Sequence, residues 1–343
     1  MAAAQHSKPI AVTMGEPAGV GGEIALKTWI HRDRDTPAFF IIDDAKRLES
    51  IAGTLGISAQ IKNIATPEEC GPVFHSALPV LPLESGLAEI PELGSPSPNC
   101  ASSVIGSIEQ AVRLVQCNQA CAIVTNPIQK SVLREASFPH PGHTEFLGHL
   151  SGVDRPVMML VIEGLRVVPV TVHVAIKDVA QALSTDAIVH CAKVSAHALK
   201  TDFGVSNPRL AIAALNPHAG EKGHMGDEEA HIITPAISLL KEIGIDVFGP
   251  AAADTLFHES ARQSFDAAIC MYHDQALIPL KTLNFSQGVN VTLGLPFVRT
   301  SPDHGTACDI APFGTADHSS FAAAIHTAKS MADSRIKVGA VNG

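Results

Sequence analysis

The chain has 343 residues, 46% hydrophobic and 17% charged, with a net charge of −10 and a pI near 5.9. That composition suits one large or two moderate α/β cores, excludes a disordered chain, and argues against nucleic acid or an anionic membrane as a partner. The seven cysteines (70, 100, 117, 121, 191, 270, 308) are odd in number without CxxC spacing, no stretch reaches the roughly 18 apolar residues of a membrane helix, and no basic-then-apolar leader opens the chain, so a reduced, cytoplasmic protein is expected.

"PIAVTM" predicts a buried strand running into the glycine turn of "GEPAGVGGEI", after which Ile24, Leu26 and Ile30 keep helical spacing. "AFFIID" is the next strand. Between residues 67 and 98 seven prolines and little apolar periodicity predict an irregular connection, with short edge strands at most. "ASSVIGSIEQAVRLVQ" is an amphipathic helix, and "CAIVTNPI" a strand with a polar tip. In "FPHPGHTEFLGH" the Pro/Gly-rich bend carries His140, His143 and Thr144, a set suited to touching a substrate, although Thr144 would equally serve as a helix cap. Residues 157–173 predict two antiparallel strands around Glu163-Gly164. "RLAIAALNPHAG" is a strand and then a loop, and "DEEAHIITPAISLLKEIG" a helix with an acidic first turn, closed by Gly244. "AAICMY" is an apolar strand that turns abruptly polar at Tyr272, His273, Asp274 and Gln275. Lys281, Asn290 and Arg299 follow among apolar and glycine residues, a setting that favours inward-facing cations able to hold a phosphate or carboxylate. The repeated strand, loop, helix order predicts mostly parallel sheets with ligands at the carboxyl ends of the strands.

Three predicted strands end in histidine: "VVPVTV" at His173, "LAIAAL" in Asn216-Pro217-His218, and "AAICMY" at His273. A lone histidine is more often hydrogen-bonded than ligating. Three at the same topological place suit a divalent metal, because neutral imidazole is a good ligand and three protein donors leave a position open for substrate. Imidazole donors favour zinc, with magnesium or cobalt as alternatives.

With "TMGEPAGVGGEIALK", "GSPSPNCAS", "VTNPIQK", "HPGHTEFL", "LNPHAGEKGHMGDEE", "ADTLF", "YHDQALIPLK" and "GVNVTLGLPFVRTSPDHGTACDIA", the chain resembles the 4-hydroxythreonine-4-phosphate dehydrogenase (PdxA) family over almost its whole length. The resemblance implies that His173, His218 and His273 bind one divalent metal per site, and that His143, Thr144, Lys281, Asn290 and Arg299 contact a phosphorylated amino-acid substrate. It also implies an isocitrate/isopropylmalate dehydrogenase-like fold of two α/β/α domains with an interdomain active-site cleft. Those domains are expected over residues 1–135 with 300–343 and over 136–299, in a homodimer whose active site both chains share. "DHGTACDIAPFGTAD" is similar to the HGSAPDIAGKGIAN loop of β-decarboxylating dehydrogenases, which places His304, Gly305, Thr306 and Asp309 at the adenosine of NAD or NADP. "GEPAGVGGEI" is similar to their GDGIGPEI turn, with Gly22 where proline is usual; Pro312-Phe313 likewise replace a glycine and a basic residue.

The implied reaction is oxidation of 4-phosphohydroxy-L-threonine to a β-keto acid that decarboxylates. Asp274 and Asp254 are the acid/base candidates, although a regular strand would turn Asp274 to the face opposite His273. A four-carbon phosphosugar acid or a carboxylated aromatic dihydrodiol would suit the same scaffold. A metal-dependent lyase or hydrolase without nicotinamide, and a zinc-buffering protein, are the readings from other classes.

Overall fold

The computed structural model describes residues 8–341, with side chains through residue 339. The chain packs as two compact units. One runs to Pro156 and resumes over Leu295–Ala332; the other takes Val157–Gly294 and the residues from Asp333 onward. Residues 136–156, grouped with the second domain on sequence alone, fall in the first unit, where Phe146 and Leu147 join its core. Among the described residues no helix is long and apolar enough to cross a membrane.

The first unit contributes β1 (Ile10–Thr13), β2 (Phe39–Asp43), β3 (Ile61–Asn63), β4 (Leu78–Pro82) and β5 (Ala122–Thr125). The second contributes β6 (Val157–Ile162), β7 (Leu165–Thr171), β8 (Arg209–Ala213), β9 (Asp246–Ala251), β10 (Ala267–Tyr272) and β11 (Val289–Leu293), and β12 (Arg299–Pro302) returns to the first. The first unit's strands run in the order β3-β4-β2-β1-β5-β12, every pair parallel. Parallel strands are covered on both faces, which is why β1 and β2 are unbroken runs of buried residues rather than alternating ones. The helix Ala45–Leu55 is fixed at both ends: Asp44 accepts from the N–H groups of Lys46 and Arg47, and Gly56 closes it in the left-handed conformation.

β4 corrects the irregular connection expected over residues 67–98. Leu78, Val80 and Leu81 are buried, and the strand pairs with β2 on one side and β3 on the other. Pro79 and Pro82 argue against an inner strand. They are tolerated where the outer neighbour is only a three-residue strand.

In the second unit the order is β11-β6-β7-β10-β8-β9. The expected hairpin is present, β6 against β7 about a left-handed Gly164, and β11 also joins antiparallel, whereas β7, β10, β8 and β9 are parallel. The helix expected from Asp227 to Gly244 is α-helical only over Thr234–Glu242. It is preceded by a π turn, Glu229–Ile233, in which Glu229 is buried rather than displayed as a solvated first-turn acid.

One buried charge organises the carboxyl edge of the first unit's strands. Arg47 is 1% exposed; its Nε donates to Asp43 Oδ1 at 2.9 Å, its Nη2 to Asp43 Oδ2, and its Nη1 to the Pro17 carbonyl at 2.9 Å. Burial is the largest single effect and works against the charged guanidinium, but Asp43, joined by weaker contributions from neighbours such as Glu16, tips the balance and raises the Arg47 pKa. Arg47→Ala would strand the Asp43 carboxylate, and a loss of about 3–5 kcal/mol is expected, measured as a lower urea midpoint with an unchanged slope.

Candidate active site

β1, β5 and β12 are adjacent and parallel, so the segments that follow them meet at one edge of the first unit. Gly15 has φ +69°, and a Cβ there would lie 2.6 Å from Asn126 Cβ and 2.8 Å from the Pro127 carbonyl oxygen. A Cβ on Gly19 would lie 2.7 Å from the Thr306 carbonyl oxygen. With those side chains absent, backbone meets backbone: Glu16 N–H donates to Pro127 O at 2.8 Å and Val20 N–H to Thr306 O at 3.0 Å. The glycine turn and the His304-Gly305-Thr306 loop, two motifs nearly three hundred residues apart in sequence, are thus packed together. Thr306 Oγ1 donates to Gln129 Oε1 at 2.8 Å, and His304 Nδ1 lies 2.9 Å from the Gly305 carbonyl. Gly305 and Asp309 face solvent.

Glu16 was not singled out by the sequence. It is 3% exposed, its Oε1 accepts from Ala18 N–H at 3.1 Å, and burial raises its pKa against that hydrogen bond and the Arg47 charge. The available signal was an acid set inside an otherwise apolar Gly/Pro turn.

Arg299 opens β12 and is 3% exposed; its Nε and Nη2 both donate to Thr125 Oγ1, at 3.2 and 2.5 Å. Burial lowers its pKa to about 10, which leaves it charged at neutral pH. His143 is the first residue of the helix His143–Ser151, Thr144 the second, and both are half-buried. His143 Nε2 is buried without a hydrogen-bond partner, and its pKa is held well below the ordinary 6.5 by burial and then by the charges of Arg299 and Lys130. Lys130 is a second residue that sequence reasoning missed. Its Nζ lies 3.5 Å from where a Cβ on Gly142 would stand. A neutral imidazole, two cations and the positive end of a helix together suit an oxyanion.

In the second unit β10 lies between β7 and β8, parallel to both, so His173 beyond β7, His218 beyond β8 and His273 directly after β10 share one edge. His273 begins the helix His273–Leu283, and this corrects the expectation for Asp274. The strand has already ended at Tyr272, so the neighbouring side chains meet, His273 Nδ1 to Asp274 Oδ1 at 2.7 Å. A carboxylate accepts, so Nδ1 carries the hydrogen and Nε2 keeps the lone pair a metal would use. Gln275 ties two strand ends, accepting from Met271 N–H at 2.7 Å and donating to the Ala214 carbonyl at 2.7 Å.

His218 (φ 52°, ψ 30°) opens six consecutive residues with positive φ, through Gly223, of which Gly220 and Gly223 are glycine. A non-glycine residue in that region costs roughly 1–3 kcal/mol. The donors suit a divalent ion in kind. Among the described residues of one chain, however, no group of three His, Cys, Asp or Glu side chains could hold a metal ion, so the shared edge does not amount to an assembled site.

Asp254 and Asp274 line one pocket of about 470 Å³ with Phe257, Tyr272 and Gln275. Lys281, in the last turn of the helix His273–Leu283, places Nζ 5.5 Å from the Phe285 ring centroid, and Asn290 lies on β11. The candidates therefore divide between the units: His143, Thr144, Arg299 and the 304–309 loop in the first, the three histidines, both aspartates, Lys281 and Asn290 in the second. His143 Nε2, Asn290 Oδ1 and His304 Nε2 are buried with no hydrogen-bond partner, and unsatisfied buried atoms of this kind fit residues that meet ligands.

The family described as pyridoxal phosphate biosynthetic protein PdxA matches residues 35–328. The 4-hydroxythreonine-4-phosphate dehydrogenase of Bradyrhizobium diazoefficiens is 48% identical over 342 residues, covering 96% of this chain and 99% of that protein. The crystal structure of 4-hydroxythreonine-4-phosphate dehydrogenase from Klebsiella pneumoniae matches with a TM-score of 0.85 at 35% identity, covering 95% of this chain and all of that one. A terephthalate 1,2-cis-dihydrodiol dehydrogenase from Burkholderia xenovorans shares the fold, with a TM-score of 0.64 at 24% identity over 94% of this chain and 98% of that one.

A depressed histidine pKa has a definite consequence for pH. Between the lowered value of His143 and the ordinary 6.5, the unfolded chain binds a proton that the folded chain does not, so this group makes stability fall as pH drops below about 6.5. By NMR titration His143 is expected to stay neutral well below pH 6.5, and Lys130→Ala should raise its pKa by removing a nearby positive charge.

Proposed function

The chain belongs to the PdxA family of pyridoxal phosphate biosynthetic proteins, and from that premise we propose that it oxidises 4-hydroxythreonine 4-phosphate with NAD or NADP and a divalent metal. The product is a β-keto acid, which loses carbon dioxide to give 3-amino-2-oxopropyl phosphate. The observation that carries the reading is the end-to-end match, at 48% identity, to a relative named for that substrate. The dihydrodiol dehydrogenase, at 24% identity, supports the scaffold and not its substrate.

Arg299, Lys130 and the first turn at His143-Thr144 hold a substrate oxyanion, and Lys281 and Asn290 contact the rest of the substrate. A neutral His143 donates or accepts a hydrogen bond there without adding a third charge. His304, Gly305, Thr306 and Asp309 take the adenosine of the nucleotide beside the glycine turn; the close packing of turn and loop supports a built nucleotide site and weighs against a lyase or hydrolase without nicotinamide.

His173, His218 and His273 are the metal ligands, with zinc favoured by imidazole and magnesium or cobalt as alternatives. One chain brings them to a common edge, and the family resemblance leads us to read the site as completed by a second copy in a homodimer. When bound, the metal would lower the pKa of the C3 hydroxyl, and the nicotinamide would receive the hydride. Asp274 keeps the Nδ1 proton of His273 in place, and Asp254, lining the same pocket, accepts the hydroxyl proton.

Formation of NADH or NADPH from 4-hydroxythreonine 4-phosphate tests the whole reading. Turnover is expected to vanish on complete chelation and return with zinc; undiminished activity in metal-free enzyme would refute the metal. Arg299→Ala should lower kcat/KM by the equivalent of about 2–5 kcal/mol, and the unphosphorylated amino acid should be a very poor substrate for the wild type. Sharing of the site between chains is tested by complementation. Inactive His173→Ala and His273→Ala proteins, mixed under subunit exchange, should regain activity if each site draws on both chains, whereas verified exchange without recovery would place each site within one chain.

A further inference from the structure

We propose that Glu229, acting through Asn216, is a positioning residue that holds His218 in the conformation from which it ligates; the proposal rests on the reading of His218 as a metal ligand. L-residues avoid the left-handed region, so a turn with four such non-glycine residues in it, His218, Ala219, Glu221 and Lys222, does not keep that shape unaided. Nothing at its own start supplies the restraint, since Asn216 makes no side-chain capping bond there. The restraint comes from outside the turn.

Glu229 is only 6% exposed. Its Oε1 accepts from the backbone N–H of Leu215 at 2.9 Å and of Asn216 at 2.7 Å, the two residues that lead into Pro217-His218. Its Oε2 accepts from Asn216 Nδ2 at 3.0 Å, and the same amide donates to Glu228 Oε2 at 2.7 Å. The knot leaves no room for larger residues around it. A Cβ on Gly220 would lie 2.6 Å from Glu229 Oε2, and a Cβ on Gly226 would lie 2.4 Å from Asn216 Nδ2. The carboxylate fixes the approach to the turn and lies close against its middle at Gly220.

A carboxylate that only satisfied two buried N–H groups would affect stability alone. A positioning residue also changes what His218 binds, so the test reads zinc. Zinc affinity of the full-length protein is measured by competition with a chromophoric chelator for the wild type, His218→Ala, Glu229→Ala, Glu229→Gln and Asn216→Ala, with circular dichroism and Tm recorded for each. His218→Ala should weaken binding. Glu229→Ala should weaken it about ten- to hundredfold, the range usual for residues that orient a metal ligand. Glu229→Gln should fall between, because it keeps an oxygen for the two backbone N–H groups and sets an NH2 against Asn216 Nδ2. Wild-type zinc affinity in a folded Glu229→Ala protein, beside a weakened His218→Ala, overturns the positioning role. Should Glu229→Ala fail to fold, Glu229→Gln decides: wild-type zinc affinity in the folded Gln variant overturns the role, and Asn216→Ala then reports how much of the effect passes through the Asn216 side chain. An unchanged affinity in His218→Ala overturns the ligand reading itself, and the proposal with it.

Discussion

A guanidinium taken as far from water as that of Arg47 must have its N–H groups answered by the protein, and the partners that answer it define the carboxyl edge of the first unit's strands. Asp43 is the last residue of β2, and Pro17 belongs to the turn that follows β1. The interaction therefore sets the distance between a strand end and the glycine turn. Glu16 adds its charge from within that turn. Held there, the turn can present N–H groups to Pro127 and Thr306 at hydrogen-bonding distance, and the 304–306 loop takes its place from the turn. A pair of this kind does less for net stability than an equally well-packed apolar cluster would; what it contributes is one arrangement of the loop.

The two units meet their chemical demands by different means. In the first, desolvation does most of the work: it makes the Arg299 guanidinium easier to deprotonate while leaving it charged, and it keeps His143 neutral between Arg299 and Lys130. In the second, the means are conformational. His273 is aimed by a strand that stops and a helix that starts within one residue, and His218 by a run of left-handed backbone that a buried carboxylate embraces. Local rules of sequence are broken where ligands are expected, and the surrounding packing makes up the difference.

Much of this was legible in the sequence, for physical reasons that differ by element. Burial of both faces makes a parallel strand a plain apolar run, so β1, β2, β5, β8 and β10 could be read directly, and the change from apolar to polar at Tyr272 marked a strand end. The hairpin of β6 and β7 was equally clear, because a lone glycine between two apolar runs leaves few other foldings. β4 was hidden by Pro79 and Pro82, whose usual meaning holds for a strand with full-length neighbours on both sides. The π turn was hidden because Asp227, Glu228 and Glu229 read as a solvated helix start, and only tertiary contacts turn the third of them inward. Lys130 and Glu16 are single charges beside turns, the commonest sort of surface residue. Nothing local distinguishes them until β5, β12 and the glycine turn are brought side by side.

The first unit is interrupted in sequence, and that has a consequence for its synthesis. β12 pairs with β5, yet 173 residues separate Thr125 from Arg299, its guanidinium partner, and Val157–Gly294, the part of the second unit that holds all its strands, is translated between them. On the ribosome, the first 156 residues can assemble β1 to β5 but leave one side of β5 without its neighbour. That exposed edge is open to pairing with another nascent chain until Leu295 and the residues after it emerge. At about 5–20 residues per second the wait lasts on the order of ten seconds or more. Nascent chains stalled before β12 would on this account be the most dependent on chaperones, and the second unit, whose β6 to β11 are contiguous, would be first to complete its sheet.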